Sequence, residues 1–418
     1  MEEIDSVATS CLATRCCIVG GGPAGLFAGF LLARAGVDVI VLEKHADFLR
    51  DFRGDTIHPS TLQVLYELGL LDQFLALPHG ETHKIEAEVG GQNVVFADFS
   101  RVKLRCPFIA FMPQWDLLNF IVKHARKYET FQLLMKTPAI GLIKEGDAIV
   151  GVTASSENGP IEIRADLVIA ADGRHSTIRE SAGFHARELG APMDVLWFKI
   201  SRKSGDSENF AGRFGAGRIL ILINRGDHWQ CGYIIAKGRF ENVRTRGIAA
   251  FQAEITGLAP FLSDRTTEIA SFDDVSLLSV GVDYLPIWHR PGLLAVGDAA
   301  HVMSPVGGVG INLAIQDAIA AANLLWKPLL ERRITEQDLR RLQRRRAWPA
   351  RLTQTMQVAI QKRVIERMLV GAIKSEKPAW PVRLIKRFPA LSGITARLVG
   401  LGVRPEHVRS PDQHKLGA

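Results

Sequence analysis

The chain is 418 residues long, with 47% hydrophobic residues, 23% charged residues and a net charge of +7. These values are typical of a globular protein that is too long for one ordinary core, so we expect two domains and a helical extension. The N-terminal stretch MEEIDSVATS is acidic and polar, which excludes a secretory signal. No window of about 18 uninterrupted apolar residues indicates a membrane span. We therefore expect a cytoplasmic protein.

Positive charge is concentrated in the C-terminal region. From Glu331 onward there are 20 Lys and Arg against 7 Asp and Glu, a local +13 that leaves −6 for the first 330 residues. Such a tail can contact anionic lipid, nucleic acid or an acidic partner, although a solvated helical face is its commoner origin. The absence of zinc-finger spacing disfavours nucleic acid. We expect no transmembrane segment, at most peripheral membrane contact through this tail, and a monomer or homodimer.

Five cysteines bear on the redox state: Cys11, Cys16, Cys17, Cys106 and Cys231. Cys11 and Cys16 have the CxxxxC spacing of a redox-active disulfide, but they lie before and within a predicted first strand. We therefore expect reduced thiols, without a catalytic disulfide and without a metal site.

The strongest local pattern lies between residues 14 and 44. A short apolar run is followed by GxGxxG at Gly20, Gly22 and Gly25, then by an apolar helical pattern and a second apolar run that ends at Glu43 and Lys44. In such a unit the glycines allow a tight turn, the approach of a pyrophosphate and close helix packing. An acid near the position of Glu43 accepts hydrogen bonds from a ribose. The pattern predicts a dinucleotide site on a parallel sheet.

The next segment predicts a loop and a helix. Gly54 and Pro59 keep a loop open, which exposes Arg53, Asp55 and His58. From Pro59 the leucines recur at helical spacing, and Gly69 ends the helix. Alternating residues over 81–111 predict a sheet insertion, and a helix follows over 114–128.

Short strands with turns follow over 133–169, and Asn158 with Gly159 gives a strong hairpin signal. Residues 190–285 change to β-strands, such as 195–200, 219–223 and 230–235, with one helical stretch near 243–255. In the tail, apolar residues Met356, Ile360, Val364 and Met368 predict a helix over 356–373 that packs on the core or on another copy. We predict domains at 14–80, 112–189 and 286–330 (dinucleotide binding), 81–111 and 190–285 (substrate sheet), and 331–418 (helical).

Three motifs stand in order along the chain: GGGPAG at 20–25, ADGRHSTIR at 171–179 and VGDAAHVMSPVGGVGINLAIQDA at 296–318. Together, over residues 15–326, they resemble the single-component FAD-dependent aromatic hydroxylases, whose type member is para-hydroxybenzoate hydroxylase. The resemblance implies an α/β fold: a discontinuous Rossmann-type FAD-binding domain, an inserted β-sheet substrate domain and a C-terminal helical region.

The resemblance also assigns site residues. In it Arg53 lies near the flavin and the nicotinamide, Gln114 contacts the flavin linker, Asp172 supports FAD and NAD(P)H binding, and Asp298 accepts from the ribityl chain. Arg53 and Pro305 are the expected catalytic residues. The expected cofactor-binding residues are Gly20, Gly22, Pro23, Ala24, Gly25, Glu43, Lys44, Arg53, Gln114, Asp172, Gly173, Asp298, Gly308, Gly310, Ile311 and Asn312.

Several of these residues also fit plainer roles. Asp298 sits where a predicted strand meets a helix start, so it also fits an N-cap, although the glycines after it leave backbone free for a flat ring. Asp172 fits a turn aspartate, and Arg179 a solvated helix charge. His301 fits a local backbone bond better than a proton acceptor. The aromatic residues at 229 and 233 fit sheet packing better than a pocket wall.

The activity that the resemblance implies is hydroxylation of a phenolic or polyketide-like ring, with FAD, NAD(P)H and O2, through a flavin hydroperoxide. A second GxGxxG is missing, which argues against reductases with two dinucleotide domains, and the WxWxIP signature of halogenases is missing too. Two alternatives stay open: a non-oxygenating flavin oxidoreductase on the same fold, such as an oxidase, reductase or halogenase-like enzyme, and a flavin-binding assembly partner with little turnover.

Overall fold

The structure is a computed structural model that describes residues 10–49, 56–89, 92–206, 211–215, 217–369, 387–388 and 390–416. In chain order its strands are β1 (Ser10–Val19), β2 (Val39–Leu42), β3 (Thr56–Ile57), β4 (Gly80–Thr82), β5 (Lys84–Val89), β6 (Gln92–Asp98), β7 (Ile109–Phe111), β8 (Phe131–Leu134), β9 (Ala139–Glu145), β10 (Ala148–Ser156), β11 (Gly159–Ala170), β12 (Arg187–Glu188), β13 (Met193–Ser201), β14 (Ala211–Gly215), β15 (Arg218–Asn224), β16 (His228–Ala236), β17 (Ser276–Leu278), β18 (Asp283–Tyr284), β19 (His289–Arg290), β20 (Leu293–Ala295) and β21 (His301–Val302).

The α-helices of the same residues are α1 (Pro23–Arg34), α2 (Pro59–Glu67), α3 (Leu71–Leu75), α4 (Gln114–Ala125), α5 (Thr177–Ser181), α6 (Phe240–Thr245), α7 (Ile248–Leu258), α8 (Gly310–Leu330), α9 (Glu336–Ile360), α10 (Glu366–Leu369), α11 (Leu391–Gly400) and α12 (Gln413–Leu416). A π-helical turn, Gln361–Ile365, joins α9 to α10.

The first sheet has eight strands and a parallel centre in the order β20-β11-β1-β2-β8. Strand β2 and the last four residues of β1 are fully buried because helices cover the sheet, and a parallel sheet buried on both faces needs continuous apolar strands. Helix α1 packs against α8 and α4 and is itself buried along its length. The carboxyl ends of β1, β11 and β20 therefore lie side by side at one edge.

The second sheet has seven strands in the order β17-β13-β16-β15-β14-β5-β6, antiparallel except between β14 and β5. Strands β5 and β6 precede β11 in the chain, whereas β13–β17 follow it. Two separate segments of the chain thus form this one sheet. Helix α7 covers one face of this sheet, where Phe251 and Ile255 pack against Phe198 and Tyr233. Its other face packs against Val306 and the residues around the π-turn.

The turn chemistry of the sequence is confirmed. Ser156 pairs with Gly159 across the predicted hairpin, and Gly159 has φ +108°, a conformation that glycine adopts without strain. Helix α2 begins at Pro59 and ends just before Gly69, which has φ +73°. The predicted strands at 195–200, 219–223 and 230–235 correspond to β13, β15 and β16.

Three local predictions are wrong. The helical stretch at 243–255 is two helices, because Gly247, with φ +84°, separates α6 from α7. His58 is fully buried rather than exposed, since the segment 56–58 forms a strand and a helix cap under α11. The tail helix begins at Glu336, twenty residues earlier than predicted, and Ile360 and Val364 on its predicted buried face are 45% and 41% exposed.

The residues after α11 lie across the first sheet's helices. Arg34, at the end of α1, donates to the carbonyl of Ser410 (2.9 Å) and pairs with Asp412 (3.4 Å). Tyr128 stacks on His414 with ring centroids 4.5 Å apart. Part of the basic C-terminal region is therefore packed structure and not a solvated tail.

Among the described residues, the helical stretch Val306–Leu330 is long and apolar enough to cross a membrane, but two thirds of its apolar 18-residue window is buried. It contains α8, which packs on α1, so its apolar character reflects the protein core.

Candidate functional site

The glycine turn after β1 has the geometry that the sequence predicts. Gly20 has φ +110°, and a Cβ at this position would lie 2.4 Å from the carbonyl oxygen of Ala171. A Cβ at Gly25 would lie 1.9 Å from the carbonyl oxygen of Gly20, so α1 can approach the strand only without a side chain there. At Gly22 an added Cβ would meet no atom of the described residues within 4 Å. The first and third glycines thus serve packing, and the second borders open space.

Glu43 is buried at the end of β2, beside the same turn. Its Oε2 accepts from the backbone N–H of Gly21 at 3.0 Å, and its Oε1 accepts from His45 N–H, also at 3.0 Å. A carboxylate held in this way next to a glycine turn is fixed for an acceptor role. Lys44, which follows it, is exposed.

The second motif joins the first at Gly20. An added Cβ there would lie 2.9 Å from the Cα of Asp172, so the two motifs are in contact. The Asp172 carboxylate accepts from the Ser176 hydroxyl and from Ile178 N–H (3.1 Å) at the start of α5. Burial raises the pKa of Asp172, although these donors oppose the shift. Gly173 follows with φ +84° and with open space where a Cβ would lie, among the described residues. This geometry fits the plainer role of Asp172, that of an aspartate that stabilises a turn.

Arg179 of the same motif is not a solvated charge. Its guanidinium donates to the carbonyl of Arg174 (2.7 Å) and lies 3.5 Å from the carboxylate of Asp283. It therefore ties the second motif to β18.

The third motif reaches the turn at Gly297. An added Cβ at Gly297, which has φ +59°, would lie 3.1 Å from the Cβ of Ala24 and 3.2 Å from the Cβ of Ala314. Asp298 follows, partly exposed, in a 3₁₀ turn over Gly297–Ala299. The long helix α8 starts only at Gly310, so the alternative role of Asp298 as the N-cap of that helix is excluded. All three motifs meet at the edge formed by β1, β11 and β20.

A buried charge cluster fixes the third motif from behind. Asp317 accepts from Gly297 N–H (3.1 Å) and lies 2.6 Å from His301 Nε2, while its other oxygen accepts from Arg346 Nε (2.9 Å). Although burial alone would raise the pKa of Asp317, His301 and Arg346 lower it. His301 thus binds a carboxylate and not the local backbone group that the sequence suggested. Asp317 and Arg346 escaped sequence analysis because neither lies in a glycine turn.

The glycine-rich loop, residues 303–309, connects β21 to α8. Gly307 and Gly308 have φ +82° and +62°, which side chains rarely adopt. Thr56 Oγ1 donates to the carbonyl of Gly308 at 2.9 Å. Pro305 begins the 3₁₀ turn Val306–Gly308, and Gly310 and Ile311 begin α8.

The Asn312 side chain connects this loop to the segment before α2. Its Oδ1 accepts from His58 N–H (3.0 Å) and the Thr61 hydroxyl (2.7 Å), and its Nδ2 donates to the carbonyl of Thr56 (3.1 Å). The amide is therefore engaged by protein groups. Gln114 begins α4, directly after Pro113. Arg53, the expected catalytic residue, lies outside the described residues.

The second sheet presents an apolar face to the glycine-rich loop. Val195 and Ile234 pack with Val306 there, and Trp197 lies on the same face. Gly232 stands opposite Trp197, where an added Cβ would lie 3.0 Å from the indole, so its missing side chain makes room for the ring. The indole Nε1 is buried without a hydrogen-bond partner among the described residues. No motif of the sequence marks Trp197, although a tryptophan opposite a strand glycine is a usable signal.

The geometry fits FAD on the observations of this chain alone. The open backbone at Gly22 admits a pyrophosphate, Glu43 supplies an acceptor for a ribose, and the third motif lies next to both through Ala24 and Gly297. Within the described residues, no cluster of His, Cys, Asp and Glu is suited to a metal ion.

Comparison with known proteins agrees with this site. A family model described as an FAD binding domain matches residues 13–368. The chain is 31% identical over 399 residues to the 6-methylpretetramide 4-monooxygenase of Streptomyces rimosus, a match that covers 95% of this chain and 94% of that protein. It spans between 60% and 63% of the length of three other curated relatives.

Two solved structures show the same fold. One is PqsL, a probable FAD-dependent monooxygenase from Pseudomonas aeruginosa (TM-score 0.73, 19% identity, 87% of this chain and 100% of that chain). The other is the OxyS anhydrotetracycline hydroxylase from Streptomyces rimosus (TM-score 0.72, 20% identity, 94% and 77%). Both confirm the predicted α/β fold class. Because the FAD-binding family model matches residues 13–368 and the 31% identity extends over 95% of the chain, the chain belongs to the single-component FAD-dependent aromatic hydroxylases.

Proposed function

We propose that this FAD-dependent monooxygenase hydroxylates a phenolic ring of a polycyclic, polyketide-like substrate and takes its electrons from NAD(P)H. The observation that carries the proposal is the 31% identity, over 95% of the chain, to an enzyme named for a 4-monooxygenation of 6-methylpretetramide. The resemblance in fold to an anhydrotetracycline hydroxylase points to the same chemical class.

In this proposal the three motifs hold one FAD. Gly22, Pro23 and the N–H groups at the start of α1 receive the pyrophosphate, because the helix N-terminus carries unpaired donors and a positive dipole end. Glu43 accepts from the adenosine ribose, with Lys44 beside it. Asp298 accepts from the ribityl chain.

The glycine-rich loop and the start of α8, through Pro305, Gly308, Gly310, Ile311 and Asn312, receive the ring end. Gln114 contacts the linker of the flavin. Asp172 and Gly173 border the FAD site, and Arg53 acts near the nicotinamide.

The substrate in this proposal borders the glycine-rich loop and the apolar face of the second sheet. Val195, Ile234 and Val306 supply apolar contacts that exclude water, and the unpaired indole N–H of Trp197 donates to an oxygen of the substrate. FAD, when bound, supplies the redox and oxygen chemistry, and the chain supplies position and a dry site. A flat polycyclic phenol suits a face made of branched aliphatic side chains and one indole.

The test is oxygen incorporation. Purified protein with FAD, NADPH or NADH, and a panel of phenolic and polyketide-like compounds is supplied with labelled dioxygen. The proposal predicts substrate-dependent oxygen uptake and one labelled oxygen in the product. NAD(P)H consumption without incorporation would instead favour a non-oxygenating oxidoreductase, and bound flavin without turnover would favour an assembly partner.

The reduced state of the thiols fits a cytoplasmic site of action. The cysteines are all free, and burial raises the pKa of Cys17 to about 12, which suppresses its reactivity. The proposal needs no metal and no nucleic acid.

Sedimentation of the purified protein, with and without anionic vesicles, distinguishes monomer, homodimer and peripheral membrane contact.

A further inference from the structure

The buried face of α9 is polar where it passes the glycine-rich loop. Gln354, Gln357 and Gln361, which we term the glutamine ladder, are each no more than 4% exposed. Their spacing of three and four residues places them on one side of the helix. A buried amide costs free energy unless its hydrogen bonds are made. The Nε2 of each of the three donates at least one hydrogen bond, whereas the Oε1 atoms of Gln354 and Gln361 are buried without a partner among the described residues.

Those partners are backbone groups of β18, of the end of β21 and of the loop itself. Gln354 Nε2 donates to the carbonyls of Asp283 (2.7 Å) and Val302 (2.9 Å). Gln357 Nε2 donates to the carbonyls of Ser304 (3.0 Å) and Val306 (2.7 Å), and its Oε1 accepts from Ser304 N–H (3.2 Å). Strand β21 ends at Val302, so these side-chain amides replace the strand partner that the backbone beyond it lacks.

The ladder ends at the π-turn. Gln361 Nε2 donates to the Ser304 hydroxyl (2.6 Å), which also accepts from Val306 N–H (3.2 Å). Ile365, at the other end of the π-turn, packs in the cluster that contains Val306 and Ile234 of the second sheet. The α9 segment therefore fastens the loop to the sheet face. Single π-turns within α-helices are frequent at functional sites.

The loop needs such external support. Gly307 and Gly308 carry no side chains that could restrict the backbone, so its conformation depends on its neighbours. On the α8 side Thr56 and Asn312 hold the carbonyl of Gly308. On the other side the ladder holds residues 302–306. Backbone donors stabilise charge on a bound group only when they are fixed in advance.

We propose that Gln354, Gln357 and Gln361 are positioning residues that set the conformation of the glycine-rich loop and thereby the environment of the ring end of FAD. The inference rests on the proposed placement of that ring at the loop. Gln357 makes the largest number of loop contacts and carries the strongest effect.

The test compares two identical substitutions on one helix. Gln357→Met removes three hydrogen bonds to the loop at nearly constant side-chain volume. Gln343→Met is the matched control, because Gln343 donates to the carbonyl of Pro286 (2.8 Å) and accepts from Trp288 N–H (3.0 Å), away from the loop. We expect both variants to lose thermal stability to a similar degree.

The readouts are the visible circular dichroism of bound flavin, its reduction potential and the dissociation constant of FAD, measured on full-length protein. Gln357→Met should change the dichroism, shift the potential and weaken FAD roughly tenfold, about the size of one net hydrogen bond. Gln343→Met should leave all three unchanged.

Unchanged flavin signals in folded Gln357→Met overturn the inference, as do equal changes in both variants. If Gln357→Met does not fold, Gln361→Met, which removes only the bond to the Ser304 hydroxyl, is judged by the same criteria. Wild-type protein that binds no FAD would instead refute the proposed function, so the two failures are distinguishable.

Discussion

At the scale of single residues, the three glycines of the first motif have different roles, as the sequence pattern predicts. Gly22 has φ −80°, which any residue adopts, and a methyl group there would meet no described protein atom within 4 Å. We predict that Gly22→Ala leaves the thermal stability of the apoprotein unchanged but weakens FAD at least tenfold, because the methyl enters the space of the pyrophosphate.

Gly25→Ala is the paired control for this prediction. Its Cβ would lie 1.9 Å from the carbonyl oxygen of Gly20, so α1 must move away from β1 at a cost of about 1–3 kcal/mol or more. Thermal denaturation of the apoproteins and flavin fluorescence titration measure both effects. FAD binding by Gly22→Ala with wild-type affinity would show that the pyrophosphate does not lie there.

The burial of His58 predicts how the stability of the protein depends on pH. Its ring is fully buried, with Nδ1 at 2.8 Å from the carbonyl of Val399, and burial lowers its pKa from 6.5 to about 4. Between these values the unfolded chain binds a proton that the folded protein does not, so stability falls as pH falls from about 6.5 to about 4. For this one group the loss is about 2 kcal/mol at pH 5.

His58→Asn keeps a donor near Nδ1 and removes the titration. Its stability deficit relative to wild type should therefore shrink by about 2 kcal/mol between pH 7.5 and pH 5, as measured by urea denaturation. Parallel pH profiles of the two proteins would contradict the assignment.

Trp197 carries the prediction for the substrate. Trp197→Phe keeps an aromatic ring on the sheet face but lacks the N–H, so KM for the best panel substrate should rise roughly tenfold with little change in kcat. The matched control is Trp229→Phe, because the Trp229 N–H donates to Asp206 (2.9 Å) in the cluster on the α7 side of the sheet. That variant should lose stability and keep KM. Equal KM values for Trp197→Phe and wild type would remove the indole from the substrate site.

At the scale of elements, the sequence predicts best where backbone chemistry is local. The glycine turns, the Asn158-Gly159 hairpin and the start of α2 at Pro59 are set by residues within a few positions, and each is found as expected. Apolar periodicity misplaces helix α9, because the apolar residues at 360 and 364 do not lie on its buried face. Its buried face carries glutamines whose partners are backbone groups about fifty residues away, which no local pattern encodes.

The corrected orientation of α9 makes a prediction about two isoleucines. Ile365 is buried against the second sheet, and Ile365→Ala should cost about 2–5 kcal/mol. Ile360 is 45% exposed, and Ile360→Ala should change stability by no more than about 0.5 kcal/mol. Chemical denaturation of both variants decides the point. A larger loss of stability for Ile360→Ala than for Ile365→Ala would show that the buried face of the helix is the one that the apolar spacing predicted.

At the scale of the whole molecule, the three motifs lie far apart in sequence and meet at one sheet edge. The C-terminal segment packs on the helices that cover this sheet. The resemblance to the hydroxylase family implied that the three motifs serve one FAD. Parallel strands explain the meeting physically, because their carboxyl ends lie at the same edge of a sheet. The role of the C-terminal segment was not predicted, since its contacts are single side chains. Arg346 joins the Asp317 cluster behind Gly297 to Glu406, so the third motif and the chain end share one buried network.

Glu406 tests this connection. It is 2% exposed, accepts from Arg345 Nη2 at 2.7 Å and lies 3.4 Å from Arg346 Nη1. Glu406→Gln leaves the guanidinium of Arg345 without a counter-charge and leaves Arg346 with Asp317 alone. Removal of one partner from a buried pair costs about 3–5 kcal/mol. Because Arg346 also holds Asp317, hydrogen exchange should rise at the third motif as well as at residues 401–416.

The control is the same substitution in an exposed pair. Glu336→Gln removes a surface contact with Arg340 (3.0 Å), in which both side chains are about half exposed, and should cost at most about 0.5 kcal/mol. Denaturation gives the stabilities, and hydrogen exchange locates the loosened segments. If Glu406→Gln raised hydrogen exchange only at residues 401–416, the C-terminal segment would not be coupled to the third motif. A matching rise at Gly297 would show that the C-terminal segment supports the FAD site through Arg346 and Asp317.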